Sequence, residues 1–79
     1  MGVYENKAAI CKDLYRLIKT LRFGNTLSDI VYHEDPYQDL ETVTLVLSNG
    51  ERRSVEVTYD AGIVMVSEII KTLMEVIRG

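Results

Sequence analysis

The sequence contains one cysteine, one histidine and one proline, and it contains no tryptophan. One cysteine excludes an internal disulfide, and Cys11 lies in an amphipathic helical pattern that predicts a small buried side chain. No uninterrupted apolar run approaches the length of a membrane span. A secretory leader, with a basic head followed by an apolar stretch, cannot be recognised. We therefore expect a cytoplasmic protein that does not act at a membrane.

The scarcity of histidine and cysteine also argues against a metal site. His33, Glu34 and Asp35 are consecutive, so on a strand their side chains would alternate between two faces and could not converge on one ion. The spacing and the glycine of a calcium loop are absent. A general acid/base pair needs two titratable groups in opposed environments, whereas these carboxylates fall on a predicted loop and edge strand. We expect no metal, no cofactor and no catalytic residue.

The length and composition are those of one globular domain spanning residues 1–79. Apolar residues make up 47% of the chain, which is too hydrophobic for a disordered protein. Helical periodicity predicts an amphipathic helix from Tyr4 to Phe23. Gly24 and Asn25 then predict a left-handed stop just past that helix.

Three strands are predicted next, over Leu27 to His33, Thr42 to Leu47 and Arg53 to Tyr59. Pro36 ends the first of them, because proline cannot donate to a strand ladder. The other two alternate between apolar and polar residues, which predicts the following inward side chains: Val43, Leu45, Leu47, Val55, Val57 and Tyr59.

The hairpin between the last two strands has a register that the sequence specifies. A two-residue Asn-Gly turn would put the two apolar rows on opposite faces of the sheet, which one buried side does not allow. A three-residue loop, Ser48 to Gly50, instead pairs Leu47 with Glu51 and Val43 with Val55. It also places Gly50 at the left-handed position of a type I turn with a bulge.

A second helical pattern runs from Ala61 to Arg78, with Asp60 as N-cap or with a later start near Ser67. The predicted fold is therefore α+β, in the order α-β-β-β-α. It is a three-stranded antiparallel sheet with two helices on one face. The apolar side of the second helix covers about half of its circumference, which is wide for one small sheet. One hypothesis is therefore a structural homo-oligomer, such as a homodimer, that assembles through Met65, Ile69, Met74 and Val76.

Charge is distributed unevenly. Residues 1–24 carry five cations and two anions, residues 25–51 carry six anions and no cation, and the rest is balanced, for a net charge of −3. The anions lie among tyrosines on the first strand and the loop after it. We name the following set the acidic face: Asp29, Tyr32, Glu34, Asp35, Tyr37, Asp39 and Glu41.

Two interpretations of the acidic face stay open. The acids could simply be solvated and discourage edge-to-edge association of strands. Alternatively, negative charge beside rigid amphipathic rings suits docking on a basic surface of a protein partner, for example a nucleic-acid-binding protein. Direct binding of nucleic acid is not expected, because the cationic stripe Lys12, Arg16 and Lys19 is a weak footprint on an acidic chain.

Two resemblances bear on this choice. The element order resembles the double-stranded RNA-binding domain, but the Lys-rich start of that family's second helix is replaced here by "DAGIVMVSEIIK". The stretch "ETVTLVLSNGERRSVEVTYDAGIVMVSEIIKTLMEVI" resembles the second half of small phage-encoded anti-CRISPR proteins. That resemblance implies a non-catalytic interaction protein, encoded by a phage or mobile element. Its acidic strand and loop would mimic DNA at the PAM-binding site of a guide-directed nuclease.

Overall fold

The structure, a computed structural model, describes residues 6–79 and confirms an α+β fold in the predicted order α-β-β-β-α. Its principal-axis extents are 38 × 25 × 16 Å. A single turn of 3-10 helix follows the first helix. The elements in chain order are α1 (Lys7–Lys19), the 3-10 turn (Gly24–Thr26), β1 (Leu27–Asp35), β2 (Leu40–Leu47), β3 (Arg52–Glu56) and α2 (Gly62–Arg78).

The three strands form one antiparallel sheet in the order β1-β2-β3. Alternate residues of each strand point to the side that the two helices cover. The apolar ones in the middle of the sheet, Ile30, Val43 and Leu45, are buried there because they meet the apolar faces of α1 and α2. The opposite side of the sheet has no helix over it in the described part of the chain. There Thr44 and Ser54 pair across the strands, and their hydroxyl oxygens are 3.0 Å apart.

The predicted hairpin register is confirmed. Val43 pairs with Val55, and the amide of Leu47 donates to the carbonyl of Glu51 at 2.8 Å across a three-residue loop. The Gly50 amide closes the turn onto the Leu47 carbonyl at 3.0 Å, and Gly50 has a φ of 91°. The two apolar rows therefore share one side of the sheet, as one buried face requires.

The end of α1 differs from the prediction. The helix begins after Asn6, whose side chain accepts a hydrogen bond from the Ala9 amide at 3.0 Å. The predicted start at Tyr4 lies outside the described residues. The helix ends at Lys19 rather than at Phe23, and it is Phe23, with a φ of 68°, that adopts the left-handed conformation expected of Gly24 and Asn25. A bulky residue pays about 1–2 kcal/mol for that conformation.

Gly24 explains why Phe23 takes this strained turn. A Cβ at residue 24 would lie 2.0 Å from the carbonyl oxygen of Ile18, so only glycine lets the chain pass this close to the end of α1. Gly24 is buried, and the Leu21 carbonyl accepts from its amide at 2.9 Å. Residue 24 must be glycine so that the chain can pass close to the end of α1. The left-handed conformation that reverses the chain direction is therefore adopted by the preceding residue, Phe23.

The third strand and the start of α2 also differ from the prediction. Strand β3 ends at Glu56, and the amide of Asp60 donates to the Val57 carbonyl at 3.1 Å, which turns the chain out of the sheet. Tyr59 therefore points outward and not into the core. The N-cap of α2 is Ala61 rather than Asp60, and the methyl side chain of Ala61 makes no capping hydrogen bond. The alternative start near Ser67 is wrong, since α2 begins at Gly62.

The core lies between the sheet and the helices. Cys11 is buried in it, as predicted, and burial raises the pKa of its thiol. Met65 and Ile69, which the sequence assigned to an oligomer interface, are also fully buried within the chain. They cannot reach a second copy, because α2 turns these residues toward the sheet. Val76 is half-buried against the core, and only Met74 of that set is exposed.

Candidate binding site at the turn end of the sheet

The structure divides the predicted acidic face between several places. The register pairs Tyr32 with Val43 and Glu34 with Glu41, so Tyr32, Glu34 and Glu41 lie on the helix side of the sheet. Asp29 lies near the far end of β1, where its carboxylate accepts from the Ile30 amide at 2.8 Å. The seven residues therefore do not form one continuous surface.

Glu41 belongs to a polar network inside the fold. One of its carboxylate oxygens accepts from the Lys7 ammonium at 3.0 Å, and the other accepts from the Tyr32 hydroxyl. The same ammonium donates to the Val57 carbonyl at 2.7 Å. The Lys7 and Glu41 side chains are only 12% and 21% exposed. Both Glu41 oxygens are thus engaged within the chain, and the network ties the start of α1 to the sheet.

This network shifts the pKa of two of its members. The Tyr32 hydroxyl, and after it the Lys7 ammonium, hold the pKa of Glu41 below its ordinary value although burial opposes them. Burial and the hydrogen bond to Glu41 raise the pKa of Tyr32. A lowered carboxyl pKa stabilises the fold above the ordinary pKa, and that contribution is lost as the pH falls through the folded-state value.

We expect Glu41→Gln to lower the free energy of unfolding by about 1–2 kcal/mol at pH 7, because a charge-assisted hydrogen bond from each neighbour is weakened. The difference from the original protein should shrink as the pH falls from the ordinary glutamate pKa toward the lowered pKa of the folded state, because the glutamate itself then becomes protonated. Urea unfolding at pH 7 and at pH 3 measures it. Glu51→Gln is the control, since Glu51 is exposed in the β2–β3 hairpin and its carboxylate, among residues 6–79, contacts only Arg53, at 3.4 Å. Equal losses at both pH values would contradict the assignment.

The turn between β1 and β2 displays an aromatic ring. The Asp35 carboxylate accepts from the amides of Tyr37 and Gln38, at 3.0 and 3.3 Å, and so holds the turn together. Asp39 closes it with a φ of 50°. The side chain of Tyr37 stands clear of the protein and is 97% exposed. We name this end of the sheet the turn end.

Two further exposed apolar residues lie at the turn end, and the sequence reasoning missed both. The Val57 amide donates to the Glu41 carbonyl at 2.9 Å, which fixes the chain after β3 beside the start of β2. Tyr59 follows at 91% exposed, and Ile63 in the first turn of α2 is 81% exposed. Strand alternation placed Tyr59 inward. The turn composition of Asp60, Ala61 and Gly62 was the signal that the strand had already ended.

The charge at the turn end is negative. Glu34, Asp35 and Asp39 lie here, and the sequence has no cation between residues 25 and 51. Lys7 reaches this end, but its ammonium is used by Glu41 and the Val57 carbonyl. Carboxylates and exposed tyrosines thus share this end of the sheet, and we name the set the turn-end surface: Glu34, Asp35, Tyr37, Asp39 and Tyr59.

Within residues 6–79 no three metal-ligating side chains come close enough to hold an ion, and no helix there is long and apolar enough to cross a membrane. The chain matches no protein-family model, and neither a curated protein nor a solved structure is significantly similar to it.

Proposed function

We propose that the protein is a small non-catalytic interaction protein whose turn-end surface docks on a basic surface of a protein partner. The observation that carries the proposal is the exposure of Tyr37 and Tyr59, at 97% and 91%, beside Glu34, Asp35 and Asp39. Two large amphipathic rings held free of the protein supply contact area at little entropic cost, and they are typical of interface centres. The carboxylates around them supply attraction to arginine and lysine.

This surface revises the acidic face as a binding site. Tyr32 and Glu41 support it from within the fold, and Asp29 is too far along β1 to belong to it. Tyr59 takes their place in the contact. The smaller surface uses fewer carboxylates for recognition, which agrees with a net charge of only −3 for the chain.

The partner that suits this chemistry is a protein that handles nucleic acid, since such proteins carry grooves rich in arginine and lysine. Nucleic acid itself would be repelled by the same carboxylates. The resemblance to anti-CRISPR proteins makes the PAM-binding site of a guide-directed nuclease one candidate of this kind, with a phage or mobile element as the source.

We expect the tagged protein to capture a basic, nucleic-acid-binding protein from source lysate at low salt and to lose it at high salt, because screening weakens charge recognition. Tyr37→Ser with Tyr59→Ser should reduce the captured amount at least tenfold, as should Glu34→Lys. These changes leave the turn intact, whereas replacing Asp35 would remove the acceptor of two backbone amides. Quantitative mass spectrometry of the eluates measures the effect.

Asp13→Lys is the matched control for Glu34→Lys, because it makes the same charge change at an exposed position on α1. Its contact to Arg16 spans 3.7 Å between exposed groups and adds little stability. The control should capture the partner as the original protein does. Equal capture by the original protein and the two turn-end variants would refute this site.

A further inference from the structure

An apolar groove lies between the two helices, at the end of the molecule away from the turn end. The last turns of α1 form one wall, and the C-terminal half of α2 forms the other. The groove has a volume of about 190 Å³. The exposed apolar side chains in its lining are Leu17, Leu21, Phe23, Ile70, Met74 and Ile77.

This patch is large for a protein of 79 residues. Its six side chains are between 40% and 58% exposed. At roughly 200 Å² for a large apolar residue, they present on the order of 600 Å² of apolar surface, the upper end for a monomer's largest patch. Two such patches face to face would bury about 1,200 Å² in total, which reaches the lower limit of specific, stable interfaces.

Phe23 is the aromatic residue of the patch and its candidate knob. Its backbone is left-handed, with a φ of 68°, and its ring is 58% exposed beside the Arg22 guanidinium, 5.5 Å from the ring centroid. Glycine or asparagine would adopt this backbone with less strain. The close approach of Gly24 to α1 explains the left-handed backbone at residue 23 but not the choice of a half-exposed aromatic ring there, and strained residues are concentrated at functional sites.

We propose that two copies of the chain form a two-fold symmetric dimer in which Phe23 of each copy enters the groove between α1 and α2 of the other. The fit is one of size, since a cavity of about 150 Å³ accepts a benzene ring and the groove measures 190 Å³. It is also one of symmetry, because a knob and a groove on one patch are the self-complementary elements of a two-fold interface.

The charges beside the groove are compatible with a second copy as the occupant. Three cations, Arg22, Lys71 and Arg78, and one anion, Glu75, lie there. A second copy would present both signs as well, so Arg22 of one copy could pair with Glu75 of the other. The turn-end surface, in contrast, is uniformly acidic and repels its own copy. Dimerisation through the groove leaves that surface free, so this inference goes beyond the proposed function and does not depend on it.

Sedimentation equilibrium of the purified chain, at concentrations from about 5 to 500 μM, tests the dimer. We expect the mass to rise toward twice the 9.0 kDa of one chain. Phe23→Asn should raise the dissociation constant of the dimer at least tenfold. The free energy of unfolding of the monomer should stay equal or rise, because asparagine tolerates the left-handed backbone. Met74→Gln, on the opposite wall, should also weaken association.

Tyr37→Ser is the control, since it removes an exposed aromatic ring from the other end of the molecule. It should dimerise as the original protein does. A chain that stays monomeric at 500 μM would overturn the proposal and would leave the groove to a different occupant. Undiminished dimerisation of the Phe23→Asn variant would overturn it as well.

Discussion

Gly24→Ala is expected to lower the free energy of unfolding by about 3 kcal/mol or more. The new Cβ would lie 2.0 Å from the Ile18 carbonyl oxygen, 3.0 Å from the carbonyl carbon of Ile18 and 3.1 Å from the Cα of Lys19. All three atoms are backbone, so no side chain can rotate away and the end of α1 must shift. A chain of this size has a total stability of about 4–12 kcal/mol, so a loss of about 3 kcal/mol removes between a quarter and three-quarters of it and should clearly lower the midpoint of urea unfolding.

Gly50→Ala is the control for this prediction, because the two glycines are needed for opposite reasons. Gly50 has a left-handed φ of 91° but nothing within 4 Å of an added Cβ. Its substitution should cost about 1–2 kcal/mol of backbone strain, and the hairpin should remain paired. Urea unfolding of both variants measures the difference. A smaller loss at Gly24 than at Gly50 would contradict the close contact between Gly24 and α1.

The parts of the fold that the sequence predicted are those set by local periodicity. The hairpin is the clearest example, because Val43 and Val55 must share the buried face and only the odd loop allows it. Burial of Cys11 followed from helical spacing in the same way. In each instance the local pattern of apolar residues is compatible with only one arrangement, because only one face of the element is buried.

The parts that were mispredicted lie where one element ends and the chain turns toward the next. Phe23 is left-handed because Gly24 has to pass the end of α1, and propensity alone assigned that conformation to the glycine. Tyr59 fits the strand alternation, but β3 ends at Glu56 when the chain turns toward α2. Local preference alone could not reveal the first event, because the contact between Gly24 and the end of α1 decides it. The second event had a local signal in the turn composition of residues 60–62, which strand alternation outweighed.

The sequence predicted the charge of the candidate site but not where its residues lie in the fold. Composition located the anions between residues 25 and 51, and the β1–β2 turn brought Asp35, Tyr37 and Asp39 together. The sequence could not show that Glu41 is bound by Lys7 from α1, 34 residues away. It also could not show which side of α2 meets the sheet, because apolar residues occupy about half of that helix.

The orientation of α2 is tested by two neighbouring isoleucines. Ile69 is fully buried, whereas Ile70 is 40% exposed and lines the groove between the helices. We expect Ile69→Ala to cost about 3–4 kcal/mol, because it removes three carbons from a packed core and leaves a cavity. Ile70→Ala should cost only about 1 kcal/mol in the monomer, since part of its side chain already contacts water.

Ile69→Ala and Ile70→Ala are controls for each other, because both replace isoleucine by alanine in the same helix and only the burial of the side chain differs. Urea unfolding at low micromolar concentration isolates the monomer, and sedimentation at high concentration reports association. Ile70→Ala should weaken the dimer while sparing the monomer, and Ile69→Ala should mainly reduce stability. Equal losses of stability at both positions would mean that α2 is rotated about its axis. Met65 and Ile69 would then be accessible to a second copy, as the sequence first suggested, and the Phe23 groove would not exist in its present form.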